Sequence, residues 1–161
     1  MTVINYHPSK VQIAADVSRS LQEDLRGATD WTASLIPEDK LSSAIITTNQ
    51  EMIVCGLRWG ENSFLLCDED CQFEWFVEEG QHIAAGTQLV KIAGNSRAML
   101  TAERTALNFL QTLSATATTT HKFVTQAANY DVKIMDARKT IPGLRLAQKY
   151  AVTVGGGVNQ R

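Results

Sequence analysis

The chain has 161 residues, with 44 % hydrophobic and 20 % charged side chains and a formal net charge of −2, values that fit a folded domain and exclude a disordered or fibrous chain. No apolar run approaches the roughly 18 residues that a membrane span requires, and the amino terminus lacks the basic start and apolar run of a signal peptide, so a cytoplasmic protein without membrane contact is expected. Charge is divided unevenly, 7 basic against 14 acidic side chains in residues 1–100 and 8 against 3 in residues 101–161, which points to an anion as partner of the second part; with no Lys/Arg run and a pI near 5.9, nucleic acid is not expected.

Residues 9–26 read as a helix, with Ser9 as cap and Val11, Ala14, Ala15, Val17, Ser18, Leu21 and Leu25 along one apolar side. A polar turn at Gly27–Asp30 follows. Four short strand-like runs come next, at 43–48, 52–57, 63–67 and 72–78, the first two joined as a hairpin through Asn49-Gln50-Glu51. A fifth run at 87–93 completes an antiparallel unit. Residues 96–127 form the longest helical pattern, with Ser96 as cap and Leu100, Leu107, Leu110, Leu113 and Ala117 as its apolar side. The run Thr116–Thr120 forms helix poorly and predicts a break there. Val132–Met135 then reads as a strand, Ile141–Tyr150 as a helix and Ala151–Val154 as a second strand, a βαβ unit with parallel pairing. The three cysteines, Cys55, Cys67 and Cys71, read as free thiols, because an odd number without a second ligand pair suits neither a disulfide framework nor structural zinc.

Four features of the basic part bear on chemistry. Arg104 lies at the edge of the long helix's apolar stripe, where a partly buried guanidinium needs an anion, either a ligand or a salt-bridge partner. Asp136-Ala137-Arg138-Lys139-Thr140 sits where a parallel strand ends and a helix begins, the edge at which ligands bind in such sheets; the alternative is a solvated connector. Arg138 can grip a carboxylate bidentately and Lys139 can supply a point charge. Gly155-Gly156-Gly157 allows close backbone approach to a ligand, or forms a flexible tail. Gln160 and Arg161 end the chain beyond the second strand. Neighbouring strands would bring Arg104, Arg138, Lys139 and Arg161 toward one pocket.

Three segments, Glu103–Ser114, Asp136–Arg145 and Lys149–Arg161, closely resemble the quinolinate phosphoribosyltransferase family, also called nicotinate-nucleotide pyrophosphorylase (carboxylating). Glu23–Gly27, Asp30–Thr32, Ala44–Gly56 and Glu78–Gly94 are similar to its N-terminal domain. The resemblance implies an α+β N-terminal sandwich domain (1–110) followed by the start of an α/β barrel (111–161), truncated. It implies the joining of quinolinate to phosphoribosyl pyrophosphate, with release of pyrophosphate and CO2, to give nicotinate mononucleotide for NAD biosynthesis. A homodimer and Mg2+ are implied as well, the ion accompanying pyrophosphate. Residue by residue, Arg104 would reach the partner subunit's site. The Ala137 backbone, Arg138 and Lys139 would bind the quinolinate carboxylates, with Lys139 also catalytic beside the phosphoribosyl group; Gln160 and Arg161 would meet quinolinate. The family usually carries Thr at the position of Ala137 and His at that of Gln160; Gln can donate a hydrogen bond but cannot shuttle a proton.

The magnesium ligands, a further lysine and a phosphate loop belong to later barrel strands of the family. A chain inactive alone is therefore expected. The alternative is a non-enzymatic short relative acting as a dimerisation or subunit-binding module. Residues 77–90 also resemble biotinyl and lipoyl carrier domains, but Lys91 falls inside a strand rather than at a hairpin tip.

Overall fold

A computed structural model describes residues 6–27 and 30–160. The first helix, α1 (Lys10–Leu25), starts as expected: the Ser9 hydroxyl accepts the Gln12 N–H, and the Gln12 side chain accepts the Ser9 N–H. Its buried face is Ile13, Asp16, Val17 and Leu21. Val11, expected on that face, is 78 % exposed; the stripe is rotated so that Ile13 packs instead. Ala28 and Thr29 of the following turn lie outside the described residues. Asp30 then caps the single turn α2 (Trp31–Ser34), accepting from the Ala33 N–H.

The sheet differs from the hairpin expected. Strand β1 (Leu41–Thr47) pairs antiparallel with β5 (Gln88–Asn95), which pairs on its other side with β3 (Gln72–Trp75). Strand β2 (Met52–Ile53) pairs instead with β4 (His82–Ile83). The N–H groups of Ile53 and Cys55 are satisfied by helix hydroxyls rather than by β1, donating to Thr118 Oγ1 at 2.9 Å and Ser114 Oγ at 3.0 Å, while Val54 N–H donates to Gln81 O at 2.9 Å. These bonds draw the chain away from β1 and account for the short strand.

Residues 63–67, expected as strand, belong largely to helix α3 (Leu57–Leu65). Its buried residues, Trp59, Gly60, Ser63 and Phe64, repeat at a helical interval. Gly56, at φ +99°, turns the chain into it, and the Glu79 carboxylate accepts the Gly56 and Leu57 N–H groups at 2.7 and 3.0 Å. A carboxylate at a helix N-terminus meets unpaired donors and the positive end of the dipole. That cap arrives from 22 residues away in sequence and cannot be seen locally.

Helix α4 (Ser96–Ala127) is capped by Asn95, not Ser96; the Asn95 side chain accepts from the Arg97 and Ala98 N–H groups. It does not break at Thr116–Thr120. The hydroxyls of Thr116, Thr118 and Thr120 fold back onto carbonyls four residues earlier, satisfying themselves without leaving the helix. Leu100, expected on the apolar side, is 40 % exposed.

Beyond α4 the expected strand–helix–strand shifts along the chain. The helix is α5 (Arg145–Val154), so Ala151–Val154 is helical and not a strand. Gly143, at φ +80°, holds residues 141–144 in a turn and delays the helix start. Ala147 and Ala151, one turn apart and fully buried, keep the helix against the core. Parallel pairing survives as one bridge, Met135 to Val158, with Val158 N–H donating to Ile134 O at 2.9 Å and Asp136 N–H to Val158 O at 3.1 Å. The architecture is α+β, and this bridge around α5 is the beginning of its parallel part.

Two apolar clusters form the core. One joins Ile13, Val17 and Leu21 of α1 to Trp59, Phe109, Leu113, Ala147 and Ala151. The other joins the sheet's Leu89, Val90 and Ile92 to Phe64, Met99, Ala102 and Ala106. Helix α4 contributes to both and fixes α5 relative to the sheet.

Candidate functional site

The parallel bridge brings the segments after Met135 and Val158 side by side, and Asp136 ties them together. Its side chain is only 3 % exposed. One carboxylate oxygen, Oδ1, accepts the Gln160 N–H at 2.8 Å. The other, Oδ2, accepts Lys149 Nζ at 2.6 Å and Asn159 Nδ2 at 2.9 Å. Lys149 Nζ donates a second time, to Gln160 O at 3.2 Å. Asn159, 2 % exposed, also donates to Lys149 O and accepts from Thr153 Oγ1 and Tyr6 N–H. A buried carboxylate and ammonium are tolerable only when both are paired and their remaining sites filled, as here.

Around this network the predicted site residues point outward. Ala137, Arg138, Lys139 and Gln160 are exposed, and neither Arg138 nor Lys139 forms an ion pair among the described residues. Two adjacent cations without an internal anion among the described residues can receive an anion from solution. Arg161 lies outside the described residues.

Arg104 is placed elsewhere within the chain. Its side chain is 73 % exposed and pairs with Asp24 of α1, Nη1 to Oδ1 at 2.8 Å. The Asp24 hydrogen bond and charge hold the guanidinium's pKa above its usual value. It is therefore not the partly buried arginine expected from the helical stripe. Asp24, Arg104, Asn108, Thr112 and Leu144 line a cleft of about 480 Å³ between α1 and α4, and Arg138 and Lys139 are not among its lining residues. Among the described residues, Arg104 is not gathered into one pocket with Arg138 and Lys139.

The glycines 155–157 serve packing rather than a ligand or a loose tail. A methyl group on Gly155 would lie 2.3 Å from Ala117 O, and one on Gly157 would lie 2.9 Å from Thr120 Cγ2. They let the end of α5 cross α4 at backbone contact. The cysteines are unbonded. Burial, with the Asp68 charge beside it, pushes the Cys71 thiol up to about 11, and burial raises Cys55 further. Among the described residues no group of three or more His, Cys, Asp or Glu side chains is placed to hold a metal ion. No helix among them is long and apolar enough to cross a membrane.

Asp136, Lys149 and Asn159 are the residues the sequence reading passed over. The one available signal is Lys149, a charged residue two positions from each of Ala147 and Ala151 in a helix. Nothing local announces that Asp136 faces inward while Arg138 and Lys139 face out.

Known proteins converge on one family. The model of the quinolinate phosphoribosyl transferase N-terminal domain matches residues 29–114, and that of the C-terminal domain matches residues 116–161. A probable nicotinate-nucleotide pyrophosphorylase (carboxylating) of Synechocystis is 36 % identical over 88 % of this chain and 48 % of its own length. The nicotinate-nucleotide pyrophosphorylase (carboxylating) of Mycobacterium leprae is 36 % identical over 90 % of this chain and 52 % of its own. The structure of the nicotinate-nucleotide pyrophosphorylase from Francisella tularensis superposes with a TM-score of 0.91 at 42 % identity, over all of this chain and 56 % of that one. The chain thus spans about half the length of the relatives it matches. Both domain models fit in order along the chain, and the fold agrees: the chain belongs to the quinolinate phosphoribosyl transferase family.

Proposed function

We propose that this chain carries the quinolinate-binding edge of a phosphoribosyltransferase that converts quinolinate and phosphoribosyl pyrophosphate to nicotinate mononucleotide, pyrophosphate and CO2 in NAD biosynthesis. The observation that carries the reading is the pair Arg138–Lys139, exposed and free of ion pairs among the described residues, directly after Asp136, which holds the Gln160 backbone. Quinolinate is a dianion with two adjacent carboxylates. Arg138 suits one as a planar fork, and Lys139 the other as a point charge. The Ala137 N–H adds a donor that needs no side chain. Gln160, in place of an imidazole, orients the ring by hydrogen bonding without carrying charge. Lys139 also lies nearest the phosphoribosyl group in this reading and acts as the catalytic cation; Arg161 meets quinolinate from the chain end.

Arg104 serves the partner subunit's site in a cytoplasmic homodimer. Its exposure supports that role, since a guanidinium held only by one surface aspartate is available to a second anion. Residues 1–110 act as the N-terminal sandwich domain and 111–161 as the first part of the barrel. Magnesium would neutralise pyrophosphate, and its ligands are not drawn from the described residues. The 161 residues alone are expected to bind quinolinate and to form no nicotinate mononucleotide above background.

Amide chemical shifts of the isotopically labelled chain, titrated with quinolinate, test the binding reading. Shifts concentrated at Ala137, Arg138, Lys139 and Gln160 are expected. Shifts confined to the α1–α4 cleft would place the ligand elsewhere.

A second reading is a non-enzymatic module that binds other subunits. It draws on β1, an edge strand whose Leu41 and Ile45 are 71 % and 51 % exposed, since an open apolar edge invites pairing.

A further inference from the structure

We infer that Asp136 and Lys149 are a positioning pair that sets the spacing between the two halves of the anion site. The inference rests on the quinolinate-binding reading, and it assigns a role to two residues that contact no ligand.

The argument starts from what the pair grips. Asp136 Oδ1 holds the Gln160 N–H at 2.8 Å, and Lys149 Nζ holds the Gln160 carbonyl at 3.2 Å. Both backbone groups of one residue are therefore fixed by the two members of one ion pair. Asp136 is also the residue immediately before Ala137-Arg138-Lys139, and its own N–H is fixed to Val158 O. A carboxylate in that position makes the cations on one segment and the end of the other a single rigid unit. Because the grip is on main chain, it works whatever side chain stands at 160, and the Gln found there is held where any other residue would be.

The network has no slack. Asp136 Oδ2 accepts two donors, Lys149 Nζ and Asn159 Nδ2, and no buried side-chain polar atom lacks a partner among the described residues. An amide at 136 would place an NH2 against either donors or the Gln160 N–H. The resulting clash between donors would loosen residue 160 while leaving Arg138 and Lys139 in the chain. A purely structural role would predict loss of stability alone. A positioning role predicts that affinity falls even where stability is restored.

Asp136→Asn, Lys149→Met and the double variant test this on the whole chain, with quinolinate as the titrant in calorimetry and thermal unfolding in parallel. Each single variant should unfold earlier, because a buried charge is left unpaired. The double variant should recover part of that loss, since it removes both buried charges, while the amide at 136 still faces the donors of Asn159 and Gln160. Its affinity for quinolinate should stay about tenfold or more below wild type, the scale of a lost hydrogen bond to a charged group. In an Arg138→Ala background, Asp136→Asn should weaken binding much less than in wild type, because the geometry it sets has lost its user. A folded double variant that binds like wild type would overturn the inference while leaving the site reading intact. Absence of quinolinate binding by the wild-type chain would instead overturn the site reading, and the inference with it.

Discussion

Asp68 shows how much one carboxylate can organise at the surface. Its oxygens accept the Asn95 and Asp70 N–H groups, each at 3.1 Å, and those bonds hold its pKa below the usual carboxylate range. A carboxylate with a depressed folded pKa contributes stability that is fully present above its unfolded value and is lost as pH falls through the folded one. Asp68→Asn is therefore expected to leave the thermal midpoint lowered at pH 7 and to flatten its decline below about pH 4. A midpoint that falls with acid as steeply as in wild type would contradict this. The buried thiols give a second expectation at this scale. With Cys55 and Cys71 held protonated by burial, both should react with an aromatic disulfide far more slowly in the native chain than after unfolding. Among site residues, Arg138 and Lys139 were legible because adjacent cations after a strand carry their chemistry openly. Asp136 was not, since its importance lies in partners 13 to 24 residues away.

Elements were legible where one face of the chain does the work. Helix α1 and the length of α4 follow from apolar spacing and a cap. The misread segments share a different cause: the contacts that decide them come from far along the chain. Residues 63–67 are apolar enough for a strand, yet they fall largely in the helix whose first turn the Glu79 carboxylate caps. Residues 152–154 are all β-branched, yet Ala147 and Ala151 are fully buried, and the segment stays helical. The glycines after it permit backbone contact with α4. Gly155→Ala should destabilise the chain by about 2 kcal/mol or more in urea unfolding, since the added carbon meets the Ala117 carbonyl at 2.3 Å, a backbone atom that cannot move aside. Unchanged stability would mean that α5 does not cross α4 as closely as described.

At the scale of the molecule, α4 contributes to both apolar clusters and so links the sheet to α5. The same helix presents Arg104 at the α1–α4 cleft, which Arg138 and Lys139 do not line, and the proposed site shared between subunits draws on that separation. Light scattering should accordingly give a mass near twice 17.7 kDa; a monomer at micromolar concentration would count against a shared site. The central claim is narrower than the oligomeric state: the exposed Arg138–Lys139 pair receives quinolinate. Its most direct measurement is calorimetric titration of quinolinate into the wild-type chain, Arg138→Ala and Lys139→Ala. The account predicts saturable binding to wild type, weakened by salt, and about tenfold or greater loss in either variant with the fold unchanged. Equal affinity in all three would contradict it.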